Sequence, residues 1–121
     1  MSVSDDSAFH VQWLRRNTEA GVLKVGFGVP ATGDDVVRSA ATAIESIDLY
    51  GGGVVLINGP MTLPAGFVIA HKVLHLFKAV AVYDPKMGGY LVVAVHGSQL
   101  KVGELVNESD FGLDATSESI Q

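Results

Sequence analysis

A chain of 121 residues that is 48 % hydrophobic has apolar material for one core and too little length for two domains. It holds no cysteine, which excludes a disulfide framework and a thiolate metal site. The formal charge is −5, but Asp5, Asp6, Glu108, Asp110, Asp114 and Glu118 lie near the ends, and without them residues 7–106 carry a net charge of about +1. An anionic ligand is compatible with that balance, whereas the broad basic footprint of a duplex nucleic-acid binder is not.

In chain order, residues 1–7 are polar and read as frayed, with neither the basic nor the apolar region of a secretory signal. No apolar run reaches a membrane span, because the longest is broken by His71, Lys72 and His75. The expectation is a cytoplasmic protein without membrane contacts. Residues 8–14 alternate loosely and predict a strand, residues 15–20 a turn, and residues 21–28 a second strand, so the chain opens on a hairpin. Pro30 ends that strand. Thr32, with Asp34 and Asp35 behind it, marks the start of a helix running to about Ile47. Val36, Val37, Ala40, Ala43, Ile44 and Ile47 share one stripe of it, opposite Asp35, Arg38, Thr42 and Glu45.

Gly51–Gly53 break the chain before Val54-Val55-Leu56-Ile57, an apolar run of the kind found in a central strand covered on both faces. Asn58-Gly59-Pro60 ends it. Pro64 then opens a second helix, expected to run to Phe77, and residues 79–83 form a β-branched strand stopping at Asp84-Pro85. A hairpin turn over residues 85–89 leads back through Tyr90–Val95, and residues 101–106 predict one more short strand. The fold class is therefore α/β: a β-β-α-β-α-β-β mixed sheet with a parallel Rossmann-like centre and a hairpin at each end. Residues 1–106 are expected to form a single domain, and residues 107–121 an acidic flexible tail or linker.

On the second helix, Gly66, Ile69, Ala70, Val73 and Phe77 fall on one face, and Pro64, Val68, His71 and His75 on the other. Apart from Lys72 it lacks a solvating face, so its outer side calls for a second subunit, and a homo-oligomer is expected. His71 and His75 at i and i+4 are compatible with chelation of zinc, but a closed site needs further ligands. On their own they read as histidines satisfying hydrogen bonds at an interface. Asp84 has two readings: the start of the hairpin turn, or a group at the carboxyl end of a parallel strand, where open α/β sheets place ligands. The same edge carries Asn58, Gly59, Pro60 and the first helical turn beyond Thr62, where backbone N–H groups favour a phosphate. Neither a P-loop nor GxGxxG is present, so nucleoside triphosphates and dinucleotides are poorly supported. About eleven residues of helix, or ~16 Å, separate His75 from Pro64 at that edge, so His75 and Asp84 should not meet within one subunit.

Gly59-Pro60, Ala70-His71-Lys72 with His75, the run Ala81-Val82-Tyr83-Asp84-Pro85-Lys86-Met87-Gly88, and His96 together resemble the small ring nuclease family of type III CRISPR systems. That family is a distant relative of the CRISPR-associated Rossmann-fold sensors. The likeness covers roughly residues 21–106. It implies a manganese-dependent phosphodiesterase that cleaves cyclic tetra-adenylate, with His75 as the catalytic histidine and Asp84 as a catalytic and metal-binding carboxylate. Ligand contacts are expected from Asn58, Gly59, Pro60, Thr62, His71 and Lys86; of these, Asn58 stands where some members of the family have a basic residue, and Lys86 where the family often has arginine. A homodimer, becoming a tetramer or larger when the ring is sandwiched, would complete the site in trans. Two other activities suit the same groups: a manganese-dependent 3′ exonuclease on adenine-rich linear RNA, and a non-catalytic cyclic oligoadenylate sensor.

Overall fold

The computed structural model describes residues 7–49 and 52–113. The expected frayed start, Gly51 and the tail beyond residue 113 lie outside the described residues. Six strands form one sheet in the order of the chain: β1 (Phe9–Arg16), β2 (Ala20–Phe27), β3 (Val54–Asn58), β4 (Ala79–Asp84), β5 (Gly89–Val95) and β6 (Leu105–Val106). The central three are parallel, and β1, β5 and β6 pair antiparallel. Helix α1 (Gly33–Ser46) joins β2 to β3, and α2 (Leu63–Val73) joins β3 to β4. The architecture is thus the mixed α/β sheet with a parallel centre that the pattern of elements predicts.

Both helices pack on one face. Val36, Ala40 and Ile44 of α1 and Ala65, Ile69 and Val73 of α2 share a core with Phe9, Leu23, Val25, Val55 and Val80. Because the parallel strands run 2-3-4 without a reversal, the sheet has no switch-point crevice of the kind that doubly wound folds use for ligands. The other face carries a second core of Val22, Leu56, Ala81, Tyr90 and Val92. The run Val54–Ile57 is buried throughout because it meets both cores.

Four expectations are corrected. Arg15 and Arg16 belong to β1 rather than to a turn. Helix α2 stops at Val73, not Phe77, because Leu76 must turn its carbonyl to the N–H of Gly52 (2.7 Å) while Lys78 donates to the carbonyl of Gly53 (2.8 Å). Those two bonds lead the chain into β4. The buried row of α2 is Ala65–Ile69–Val73, so Phe67 faces outward and Val68 packs on the first core. Finally, residues 107–113 are not tail-like: a 3-10 helix (Glu108–Phe111) follows β6, and Phe111 and Leu113 are buried in the second core. Apolar side chains there cover a sheet face that the helices do not reach, and this outweighs the polar composition around them.

Candidate functional site

The carboxyl edge of the parallel strands gathers most of the candidates. Asn58 ends β3, half-buried, with its Nδ2 donating to the Tyr90 hydroxyl at 3.0 Å. Gly59 follows at φ 130°, and a Cβ there would lie 1.9 Å from the Val25 carbonyl oxygen. Only glycine fits both constraints, so its place at this edge is first a matter of backbone approach. Pro60 is exposed. Thr62 caps α2, its hydroxyl accepting from the Ala65 N–H at 3.2 Å. Since Pro64 has no N–H and that of Ala65 is taken, the first turn of α2 offers an anion little, against the expectation of a phosphate-binding terminus.

Asp84 ends β4, half-buried. Its Oδ1 accepts from the N–H groups of Lys86 (2.9 Å) and Met87 (3.3 Å), so the carboxylate starts the hairpin turn and keeps Oδ2 outside those bonds. The turn reading of Asp84 is thus the one these hydrogen bonds show, and they leave Oδ2 for other partners. Lys86 lies exposed in the turn beside it.

His71 and His75 are exposed and stand edge to face, with ring centroids 5.4 Å apart. His75 is in the turn after α2, adjacent to the Leu76 carbonyl that bonds Gly52, and so at the amino edge of the sheet. The length of β4 alone separates that edge from Asp84 by about 16 Å at the rise of a strand. The structure brings Asn58, Gly59 and Asp84 to one edge, His71 and His75 to the other, and does not unite the two groups within a chain.

Among the described residues no three His, Asp or Glu side chains converge as a metal-holding group. Manganese favours several oxygen or nitrogen donors, and one chain supplies Asp84 without a companion set, so the residues of a single protomer do not fit the ion.

Sequence reasoning missed a polar chain on the face away from the helices. Arg15 donates to Glu108 Oε1 (2.5 Å), Tyr90 donates to Glu108 Oε2 (2.7 Å), and Asn58 donates to Tyr90. A β-bulge at Leu14 makes this possible. Trp13 pairs with Leu23 of the first core but Arg15 with Val22 of the second, so the skipped residue turns Arg15 to the opposite face. Burial and the Glu108 carboxylate push the Tyr90 phenol well above its ordinary range, keeping it a neutral donor. No local pattern announces the bulge. Asn107 and Asp110, in contrast, have the spacing of a helix start, and the Asn107 N–H does donate to Asp110 Oδ2 at 2.8 Å.

Two cavities flank these groups. One of about 370 Å³ lies beside β1 and β2, lined by His10, Gln12, Lys24 and Phe27, and Lys24 is the register partner of Asn58. A larger one of about 610 Å³ opens at the amino edge between Trp13, Arg16, Glu19, Gly53 and Phe77, but it gathers none of the candidate residues. Volume and chemistry therefore disagree, and the carboxyl edge, where the polar side chains converge, is the better candidate.

No curated protein matches the chain. A family model described as CRISPR-associated protein (Cas_csx3) matches residues 40–107. That span is more than half of the chain and includes Asn58, His71, His75, Asp84 and Lys86; the chain belongs to the CRISPR-associated Cas_csx3 family.

Proposed function

We propose that the protein is a ring nuclease that cleaves the cyclic tetra-adenylate messenger of type III CRISPR immunity, at a site shared between two or more copies of the chain. The observation that carries this reading is the placement of His75 and Asp84 at opposite edges of a protomer whose α2 leaves an apolar stripe uncovered. Leu63 is 75 % exposed and Phe67 68 %, and His71 and His75 continue the same i, i+4 row. Two copies packed through such a stripe, and a ring held between such pairs, would bring His75 of one copy toward Asp84 of another. A symmetric ring suits a twofold protein axis.

In this reading a ribose hydroxyl or water oxygen bonds to phosphorus as a bridging P–O bond breaks, and His75 takes the attacking oxygen's proton or gives one to the leaving oxygen, since imidazole exchanges protons near neutral pH. Asp84, its Oδ1 fixed by the turn, keeps Oδ2 to accept a hydroxyl proton or to hold a cation, and Lys86 offsets phosphate charge there. Manganese belongs to the proposal only as an ion completed across copies, and none of these steps passes through it.

The test incubates the protein with cyclic tetra-adenylate and with linear 3′-oligo(A) RNA, with and without Mn²⁺. Ring opening with the linear RNA left intact is the expected result. Turnover of the linear RNA alone would assign the exonuclease activity instead, and tight ring binding without product would assign a sensor. His75→Ala and Asp84→Ala should each lose at least about 100-fold in rate. Mixing the two inactive proteins should restore part of the activity, because one composite site then receives both intact side chains. If the mixture stays inactive while both variants still associate, assembly in trans is refuted.

A further inference from the structure

The polar chain Arg15–Glu108–Tyr90–Asn58 has a direction. A carboxylate only accepts, so Glu108 takes one proton from Arg15 and one from Tyr90. Tyrosine has a single hydroxyl proton, and with that proton committed to Glu108 its oxygen must accept from Asn58. Turning the Asn58 amide over would set Oδ1 against the lone pairs of Tyr90. Hydrogen-bond polarity thus decides which end of the amide faces inward, and it leaves Oδ1 and the second Nδ2–H for a ligand.

The surroundings of that pair suit a base. Tyr83 is the antiparallel partner of Tyr90, stands edge to face with it at 5.3 Å between centroids, and is exposed. It lies one residue beyond the Ile57–Val82 pair, on the sheet face that carries Asn58. Exposed Lys24 is on the opposite side of Asn58, one strand away. An aromatic platform, an amide and a cation in one row form a surface for a nucleotide with its base stacked and its phosphate charge offset.

We infer that Arg15, Glu108 and Tyr90 are positioning residues that hold the Asn58 amide so that it reads the N6-amine and N7 edge of an adenine stacked on Tyr83. An oriented acceptor–donor pair is what that edge requires. The inference rests on the ring-nuclease reading for its ligand, but not for the orientation of Asn58. Arg15 and Glu108 lie outside residues 40–107, the segment that the family model matches.

The test measures binding of cyclic tetra-adenylate and of cyclic tetra-inosinate, which has a carbonyl where adenine has its amine. A His75→Ala background keeps the rings intact. Adenylate should bind at least about tenfold more tightly. Tyr90→Phe should shrink that preference to under about threefold, and so should Glu108→Gln, whose amide can donate to Tyr90 and reverse the chain. Having the shape of glutamate, the second variant serves where the first fails to fold. In parallel, the Asn58 Nδ2 proton bonded to Tyr90 should exchange more slowly by NMR than its open partner, and this difference should vanish in Tyr90→Phe. Rings that bind without preference, or a preference that survives both variants, would overturn the inference and leave the ring-nuclease reading standing. If neither ring binds, the ligand and the ring-nuclease reading fall together. Amide exchange unchanged by Tyr90→Phe would refute the positioning role with or without a ligand.

Discussion

Asp34 shows how one residue can occupy its expected place and act in an unexpected way. Thr32 precedes α1 as a cap should, but its hydroxyl donates to the Asp34 and Asp35 carboxylates (2.5 and 3.1 Å) rather than accepting from the helix backbone. Arg38 closes the group from one turn on, at 3.0 Å from Asp34 and 2.7 Å from Asp35. The Thr32 hydroxyl first, and Arg38 second, hold the Asp34 carboxyl down at about 2. A depressed carboxyl favours the folded state above its ordinary range near 4, and that contribution fades as pH falls toward 2. Thr32→Ala should therefore move the Asp34 midpoint up toward the ordinary value, as read by carboxyl NMR titration. A midpoint left near 2 would assign the depression to Arg38 instead. The Thr32–Asp35 cluster was legible as a helix start from residue types alone; the direction of the threonine hydrogen bond was not, because the hydroxyl can either accept from the backbone or donate to a carboxylate.

Helix α2 makes the same point at the scale of an element. Its start at Thr62-Leu63-Pro64 and its apolar character could be read from the sequence. Its roll about its own axis and its end could not, since Val68 and Phe67 are both large and apolar and only the fit of Ala65–Ile69–Val73 against the strands chooses between them. The choice left Leu63, Phe67, Leu74, His71 and His75 outward. Lys72, expected to solvate the helix, instead pairs with Glu45 of α1 at 3.0 Å and ties the two helices together. Under the proposed pairing of copies through this stripe, Phe67→Glu should be monomeric in light scattering where the wild type is larger, with a change of less than about 0.5 kcal/mol in stability, as for an exposed substitution. A Phe67→Glu protein that assembles as the wild type does would place the interface elsewhere.

Over the whole molecule, the second face of the sheet is the feature the sequence conceals most. The helices cover one face, and Phe111 and Leu113 help to close the other. Asn17 Nδ2 donates to the Phe111 carbonyl at 2.8 Å, and Glu108 binds Arg15, so both bonds tie the end of the described chain to its first hairpin. Phe111→Ala should cost about 3 kcal/mol in denaturant unfolding, the range for removing a buried aromatic ring. A loss below about 1 kcal/mol would show that residues 107–113 are an appendage rather than part of the core. Among the described residues no helix is long and apolar enough to cross a membrane.

Period and punctuation in the sequence determined the kinds of element and their order, because apolar spacing and turn residues act locally: the buried run Val54–Ile57, the stop at Asn58-Gly59-Pro60, the hairpin at Asp84. The separation of His75 from Asp84 was legible too, since it follows from the length of one helix and one strand. The stripe Val36–Ala40–Ile44 of α1 was legible as well, whereas the tertiary structure decided the roll of α2 and the face that Arg15 takes. The bulge at Leu14 turned Arg15 over, the cover provided by Phe111 brought Glu108 to meet it, and the pairing of β4 with β5 set Tyr90 beneath Asn58. Each of these joins residues far apart in the chain, and packing and hydrogen-bond polarity choose among arrangements that local sequence leaves equivalent.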